Sequence, residues 1–113
     1  MRNFEEILSR QRSQELTLKF YKIFKDIRDF SFRDQLQKAA VSISNNIAEW
    51  FERKSNNEFR YFLYVAKWSS GEVRSMLYLA KKLNYITEEK FNEFYDETKK
   101  ISELIHWLIR SLK

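Results

Sequence analysis

The sequence predicts an all-α fold, in the form of an antiparallel up-down-up-down four-helix bundle. The 113 residues contain no Pro and one Gly, so the chain lacks the turn residues that sheet proteins place between strands. Apolar residues recur at helical spacing in four segments, and short polar stretches separate these segments. Because short connections make consecutive helices antiparallel neighbours, we expect a single domain spanning residues 1–113.

The first two helices are predicted over residues 9–28 and 32–53. The apolar face of the first comprises Leu16, Phe20, Ile23, Phe24 and Ile27. The apolar face of the second comprises Phe32, Leu36, Ala39, Ile43, Ile47 and Trp50. The segment 28-RDFS-31 interrupts the pattern, and we expect Ser31 to cap the second helix. The first seven residues are interpreted as an N-terminal arm, whose role the sequence leaves open.

The last two helices are predicted over residues 56–84 and 88–112. The segment 55-SNNE-58 has the form of a capping box, with Ser55 at the N-cap and Glu58 three residues later. Thr87, followed by two glutamates, indicates a second N-terminus with favourable dipole charges. The apolar face of the fourth helix comprises Phe91, Phe94, Tyr95, Thr98, Ile101, Ile105, Leu108 and Leu112.

The third helix has two apolar faces, whereas a small monomeric bundle needs one. Its core face comprises Phe59, Leu63, Ala66, Ser70, Val73, Leu77 and Ala80. Tyr61, Tyr64, Trp68 and Leu79 cluster on nearly the opposite side. Scattered surface aromatics would be ordinary, but aligned exposed aromatics tend to mark contact sites. We therefore predict that the second face is a subunit interface in a homo-oligomer.

A line of basic residues runs between these two faces. Arg60, Lys67, Arg74 and Lys81 are spaced by seven, and Arg53 precedes them at the same spacing. One interpretation is a solvated flank whose aliphatic stems cover the edge of the core. The other is a surface that tracks phosphates, repeated around an oligomer. The net charge of +5 is compatible with both.

Composition excludes several kinds of chemistry. The absence of Cys excludes disulfides and thiolate metal sites, and a single Gly excludes a Gly-rich phosphate loop. The one histidine, His106, follows Glu103 as Glu-x-x-His, but a di-iron bundle requires two such motifs. No Ser-His-Asp arrangement is marked by spacing. We therefore expect a protein that is not an enzyme and that carries no metal or cofactor.

The chain shows no membrane or export signal. Its longest apolar run, 61-YFLYVA-66, is too short to span a bilayer, and its N-terminus carries acidic residues and lacks the apolar core of a signal peptide. We expect a cytoplasmic protein with no membrane partner. Glu49 and Glu72 fall in the middle of predicted helices, where they could be surface charges or partly buried acceptors, and the sequence does not choose between these.

The run 39-AAVSISNNIAEWFERKSNNEFRYFLYVAKWSSGEV-73 resembles the four-helix-bundle family of the 23S rRNA intervening-sequence protein. The matching residues are Ala40, Ser42, Ile43, Asn46, Ile47, Ala48, Glu49, Arg53, Ser55, Glu58, Phe59, Phe62, Leu63, Ala66, Ser69 and Glu72. The later segment 79-LAKKLNYIT-87 also fits the family's usual end of the third helix, and the likeness extends over roughly residues 14–112.

The resemblance implies a bundle that assembles as a ring-like homopentamer. A structural relative of the family, the accessory variability determinant of diversity-generating retroelements, is a basic pentamer that works with a reverse transcriptase and nucleic acid. This chain departs from the family pattern at Trp50 and Trp68, which stand where the family has Gly. Because Trp fills a large volume where Gly permits close approach, we expect the subunit packing and the number of subunits to depend on these positions.

Two functions follow as hypotheses. The first is an oligomeric scaffold that is not an enzyme and that binds RNA, DNA or a ribonucleoprotein through the repeated basic surface formed by Arg53, Arg60, Lys67, Arg74 and Lys81. The alternative is a protein–protein adaptor for a polypeptide partner such as a polymerase, with no direct role in nucleic-acid binding. Charge reversal along the basic line separates them, because an adaptor whose partner docks elsewhere should tolerate it.

Overall fold

The structure is a computed structural model that describes residues 4–53 and 59–111. It contains four α-helices: α1 (Phe4–Ile23), α2 (Phe30–Arg53), α3 (Phe59–Lys82) and α4 (Glu88–Arg110). Within the described ranges there is no strand, which confirms the predicted all-α class and the number of helices. None of α1 to α4, as described, combines the length and apolar character that a membrane-crossing helix requires.

The four helices form a bundle 44 Å long and 23 × 19 Å across. Each helix packs on the next in the chain, and α1 also packs on α4, which closes the bundle around one main core. Phe20 of α1 meets Phe94 of α4 edge-on, with ring centroids 5.1 Å apart. Asp29, just before α2, contacts Tyr85, just after α3. These contacts join residues that are distant in the sequence, so the core fixes all four helices relative to one another.

The apolar faces predicted for α2, α3 and α4 are buried where the structure describes them. The buried members are Phe32, Leu36, Ala39, Ile43, Ile47, Trp50, Leu63, Ala66, Ser70, Val73, Leu77, Ala80, Phe91, Phe94, Thr98, Ile101, Ile105 and Leu108. The side chains of Phe59 and Leu112 lie outside the described residues, and Tyr95 is half-buried. In α1 the prediction is wrong at Ile23, because α1 ends there and leaves its side chain exposed.

The bounds predicted for the first helix are wrong, since α1 begins at Phe4 rather than residue 9 and ends at Ile23 rather than residue 28. The predicted arm is therefore helical from Phe4 onward. The carboxylate of Glu6 is fully buried and pairs with Arg10 one turn later, at 2.7 Å. The buried face of this segment also contains Ser9 and Ser13, whose hydroxyls donate to carbonyl groups of the preceding turn. A polar buried face has no apolar periodicity, so the sequence pattern does not reveal this part of the helix.

The helix α2 begins at Phe30, two residues before the predicted start, and its cap is Asp29 rather than Ser31. Oδ1 of Asp29 accepts the backbone N–H of Phe32 at 3.1 Å, which is the geometry of an N-cap residue and the third helical position. The other carboxylate oxygen accepts the Tyr85 hydroxyl at 2.7 Å. The bond from Tyr85, reinforced by the Phe32 amide, lowers the pKa of Asp29. Asp29 thus caps α2 and ties it to the end of α3.

The end of α3 is a Schellman turn, in which Asn84 adopts the left-handed conformation with φ of 62°. The N–H of Tyr85 donates to the carbonyl of Ala80 at 2.8 Å, and the N–H of Asn84 donates to that of Lys81 at 3.1 Å. The helix therefore ends at Lys82, two residues before the predicted end. The turn also directs Tyr85 toward Asp29.

The start predicted for the fourth helix is confirmed. Oγ1 of Thr87 accepts the N–H of Lys90 at 3.1 Å, and Glu88 and Glu89 occupy the first turn. The helix α4 ends at Arg110, two residues before the predicted end. The predicted capping box, 55-SNNE-58, and the predicted start of the third helix at residue 56 lie outside the described residues.

Candidate functional site: a cationic groove and an aromatic face

Three exposed aromatic side chains of α3 lie together. Tyr61 and Trp68 are 60% and 61% exposed and Tyr64 is 38% exposed. The Trp68 ring lies 6.3 Å from that of Tyr61 and 6.4 Å from that of Tyr64, measured between centroids. We call Tyr61, Tyr64 and Trp68 the aromatic face. Leu79 is also exposed, but it lies about 16 Å further along α3 and lines a depression with the start of α2.

The five basic residues predicted as one line fall into different environments. Arg53 pairs with Glu49 at 3.2 Å and its guanidinium lies over the Phe62 ring. The Lys81 ammonium lies 4.3 Å from the centroid of the Phe91 ring, within the range of a cation–π contact. Arg60 is exposed to solvent. The remaining two, Lys67 and Arg74, face α4.

Lys67 and Arg74 line a groove between α3 and α4 that has a volume of about 450 Å³. We call it the cationic groove; its lining residues are Lys67, Arg74, Tyr95, Lys99, Ser102, Glu103 and His106. The basic spacing on α3 did not predict the contribution of Lys99 on α4. A signal was present, since Lys99 and His106 share on α4 the seven-residue spacing that Lys67 and Arg74 have on α3. Only the packing of α4 on α3 brings the two pairs to opposite walls of one groove.

A chain of hydrogen bonds holds Arg74 in place at the base of the groove. The hydroxyl of the fully buried Ser70 donates its one hydrogen to the carbonyl of Lys67 at 2.8 Å. In the 2.8 Å contact between Ser70 and Ser102, Ser102 must therefore be the donor. Nη1 of Arg74 in turn donates to Ser102 Oγ at 3.0 Å. The chain runs in one direction, from Arg74 through both hydroxyls to the backbone, and it uses one of the five guanidinium hydrogens.

Within the described part of the chain, Lys67, Arg74 and Lys99 have no carboxylate partner. Among the described residues of the lining, Glu103 is the one acidic side chain, and it is exposed. The groove therefore presents a net positive charge around a guanidinium that is already oriented. An arrangement of this kind suits a planar or tetrahedral oxyanion, which Arg can bind with two parallel hydrogen bonds.

The structure describes no metal-binding cluster. Across the described part of the chain, no three side chains of His, Cys, Asp or Glu lie close enough to hold an ion. Of the two carboxylates whose burial the sequence left open, Glu49 is half-exposed in its pair with Arg53, and Glu72 is exposed. Both are therefore surface charges in this chain.

Several residues of the quoted motif hold α2 against α3. The hydroxyl of Ser69 donates to Ser42 Oγ at 2.9 Å, and the Asn46 amide donates to the same hydroxyl at 3.0 Å. Trp50, which is 3% exposed, packs with Leu63 and Leu108 in a second, smaller cluster of buried residues. The motif thus has a structural role along the seam between α2 and α3.

A match to a known protein family covers this motif. The family model for the 23S rRNA-intervening sequence protein matches residues 5–107. The chain belongs to this family. Its fold is similar to the crystal structure, at 1.70 Å resolution, of a protein of unknown function from the S23 ribosomal protein family of Bacteroides thetaiotaomicron VPI-5482.

That similarity has a TM-score of 0.86 at 21% sequence identity, and it covers 95% of this chain and 99% of the other. At this identity the likeness concerns the fold alone. A comparison with curated proteins gave no match. The match of the family model confirms the resemblance to the 23S rRNA-intervening sequence family that the sequence predicted.

Proposed function

We propose that this protein is a cytoplasmic scaffold, not an enzyme, that binds nucleic acid by its phosphates in the cationic groove. The observation that carries the proposal is the oriented guanidinium of Arg74, which has no carboxylate partner in the described structure and lies with Lys67 and Lys99. Phosphate oxygens are suitable acceptors for the other N–H groups of this guanidinium. Arg60 and Lys81 flank the groove along α3 and would contribute to the surrounding field rather than to the contact itself.

Assembly would multiply this site. The aromatic face supports contact between copies, because three adjoining aromatic side chains on the outside of a small bundle leave a large apolar area in water. A ring-like homo-oligomer, for which the resemblance suggests five copies, would repeat the groove around its axis. Five chains of +5 would carry +25 in total, a strong attraction for polyanions.

The proposal includes the up-down-up-down course of the chain. Two contacts between α1 and α4 support this course. Arg12 approaches Glu97, whereas Lys19, which comes later in α1, approaches Glu93, which comes earlier in α4. In an antiparallel pair, positions advance along one helix as they recede along the other. In this arrangement the α3–α4 groove runs along the length of the bundle.

Binding of labelled RNA and DNA across a range of salt concentrations tests the phosphate contact. Each phosphate neutralised should steepen the decrease of log affinity with log salt by about 0.9 for duplex DNA and about 0.7 for a single strand. Replacing Arg74→Gln should weaken binding to every sequence and reduce that slope by about one. The matched control is Arg28→Gln, which removes the same charge from an exposed arginine between α1 and α2. Affinity that is independent of salt, or equal losses in the two variants, would contradict the assignment.

The aromatic face also favours the second candidate, an adaptor whose partner is another protein. Exposed aromatics can contact a polypeptide partner as well as a second copy of the chain. Light scattering on the purified protein separates these occupants: a monomer would leave the aromatic face to a different protein. Charge reversal of Lys67 and Arg74 should abolish nucleic-acid binding and leave an adaptor interaction through Trp68 intact.

A further inference from the structure

A second exposed tryptophan lies beside the cationic groove. Trp107 of α4 is 46% exposed and lines a depression of about 510 Å³. The depression is lined by Glu103, His106, Trp107, Arg110 and Ser111. Glu103 and His106 line the cationic groove as well, so the two hollows adjoin each other along α4. Each has the volume typical of ligand sites, about 300–1,000 Å³.

The side chain of Trp107 is partly exposed among the residues that the structure describes. Tyr78 of α3 and Phe91 and Tyr95, near the other end of α4, contact one another, with ring centroids between 5.0 and 5.4 Å apart. Trp107, by contrast, stacks on no aromatic ring within residues 4–53 and 59–111. Its neighbours in the depression include the polar or cationic side chains of His106 and Arg110. An exposed indole beside basic side chains is the combination found where proteins bind single strands.

We infer that the groove binds single-stranded nucleic acid in preference to duplex, with a base stacked on Trp107 and the adjoining phosphates held by Lys67, Arg74 and Lys99. The inference rests on the proposed function and deepens it. Every base has a π-face, so stacking on Trp107 adds affinity with little dependence on sequence. In a duplex both faces of each internal base are covered by its neighbours, so a duplex can offer the groove phosphates but no free face.

The test compares two labelled probes: a mixed-sequence single strand and a duplex of the same sequence. The single strand has about 16 nucleotides, which is the upper end of the site sizes of single OB-fold domains. Fluorescence anisotropy gives the affinity of the whole chain for each probe, with RNA and DNA versions run in parallel. Because stacking on an aromatic side chain adds about 1–3 kcal/mol per base, Trp107→Ala should weaken single-strand binding about 5- to 150-fold. It should leave duplex binding nearly unchanged, and Trp107→Phe should retain most of the single-strand affinity.

The matched control is Tyr21→Ala, because Tyr21 is 47% exposed but lies on α1, away from the groove. Its affinities should equal those of the parent protein. Circular dichroism and light scattering on each variant confirm that fold and assembly are preserved. Arg74→Gln supplies the complementary result, since it should weaken the single strand and the duplex alike.

Three outcomes separate the claims. A selective loss of single-strand binding in Trp107→Ala supports the inference. Equal affinity of the parent protein for both probes, with no effect of Trp107→Ala, overturns the inference and leaves the proposed phosphate contact standing. Absence of salt-dependent binding to either probe overturns both.

Discussion

Replacing Trp50 tests how much one large buried side chain contributes to the stability of the bundle. Trp50 is 3% exposed and packs on Leu63 and Leu108. A buried Trp removes about 150–250 Å² from water, and at about 25 cal/mol per Å² this amounts to roughly 4–6 kcal/mol. Measured changes of buried Phe or Trp to Ala cost about 3–5 kcal/mol. We therefore expect Trp50→Ala to lose about 4 kcal/mol of the free energy of unfolding.

That loss is a large part of the total. A domain of 113 residues has a free energy of unfolding of about 6–17 kcal/mol, so Trp50→Ala should lower Tm by roughly 15–20 °C and could unfold a marginal protein. The milder change Trp50→Phe retains most of the apolar area, and it keeps the comparison possible if the Ala variant does not fold.

Trp68→Ala provides the contrast, because Trp68 is 61% exposed in the single chain. The buried remainder of its area amounts to about 2 kcal/mol at most. If Trp68 lies between subunits, its loss should lower the apparent stability in a way that depends on protein concentration, whereas the effect of Trp50→Ala should not.

Urea unfolding at several protein concentrations, with light scattering of each variant, measures both effects. The expected result is a folding defect in Trp50→Ala and an assembly defect in Trp68→Ala. The assignment is refuted if the two variants are equally stable and equally oligomeric, or if Trp50→Ala costs less than about 0.5 kcal/mol, the range of ordinary surface changes.

Three further changes test the ends of the helices. Thr87→Ala should cost about 1 kcal/mol in thermal unfolding through loss of the α4 cap, and an unchanged Tm would contradict that role. Asn84→Ala should destabilise the left-handed turn by about 1–2 kcal/mol, whereas Asn84→Gly should not, and equal effects would exclude the conformational explanation. Because the pKa of Asp29 is lowered in the folded state, its contribution is present above its unfolded pKa of about 3.9 and is lost as pH falls through the folded value. Asp29→Asn should therefore remove part of the acid dependence of stability, measured by urea unfolding at a series of pH values, and an identical pH profile would contradict the role of its charge.

The parts of the fold that apolar periodicity defines were predictable. In α2, Leu36, Ile43 and Trp50 recur at a spacing of seven residues, and this periodicity predicted the face of the helix that is buried. The start of α1 was not predictable in this way, because the residues it buries there are Glu6, Ser9 and Ser13. Their burial depends on hydrogen bonds within the helix and on packing by other helices, and neither produces a pattern in the sequence.

The part of the candidate site that lies on α3 was predictable from the sequence, whereas the residues of α4 that face it were not. The spacing of Lys67 and Arg74 placed them on one flank of α3, but it could not show which flank of α4 would face them. Neither could it show that Lys81 would lie on the Phe91 ring, because that contact depends on side chains from two helices. The bond from Arg74 to Ser102 likewise depends on the alignment of α3 and α4 along the bundle.

The three tryptophans lie in three different surroundings, which gives the molecule its own set of optical reporters. Trp50 is enclosed and should emit at short wavelength until the chain unfolds, whereas the exposed Trp68 and Trp107 should emit at longer wavelength in the single folded chain. Variants that retain one tryptophan, with Phe at the other two positions, would give a separate signal for each. Emission from Trp50 would then follow folding, emission from Trp68 would follow the meeting of subunits, and quenching of Trp107 would follow the arrival of a base. One spectrometer could thus observe all three events without an added dye.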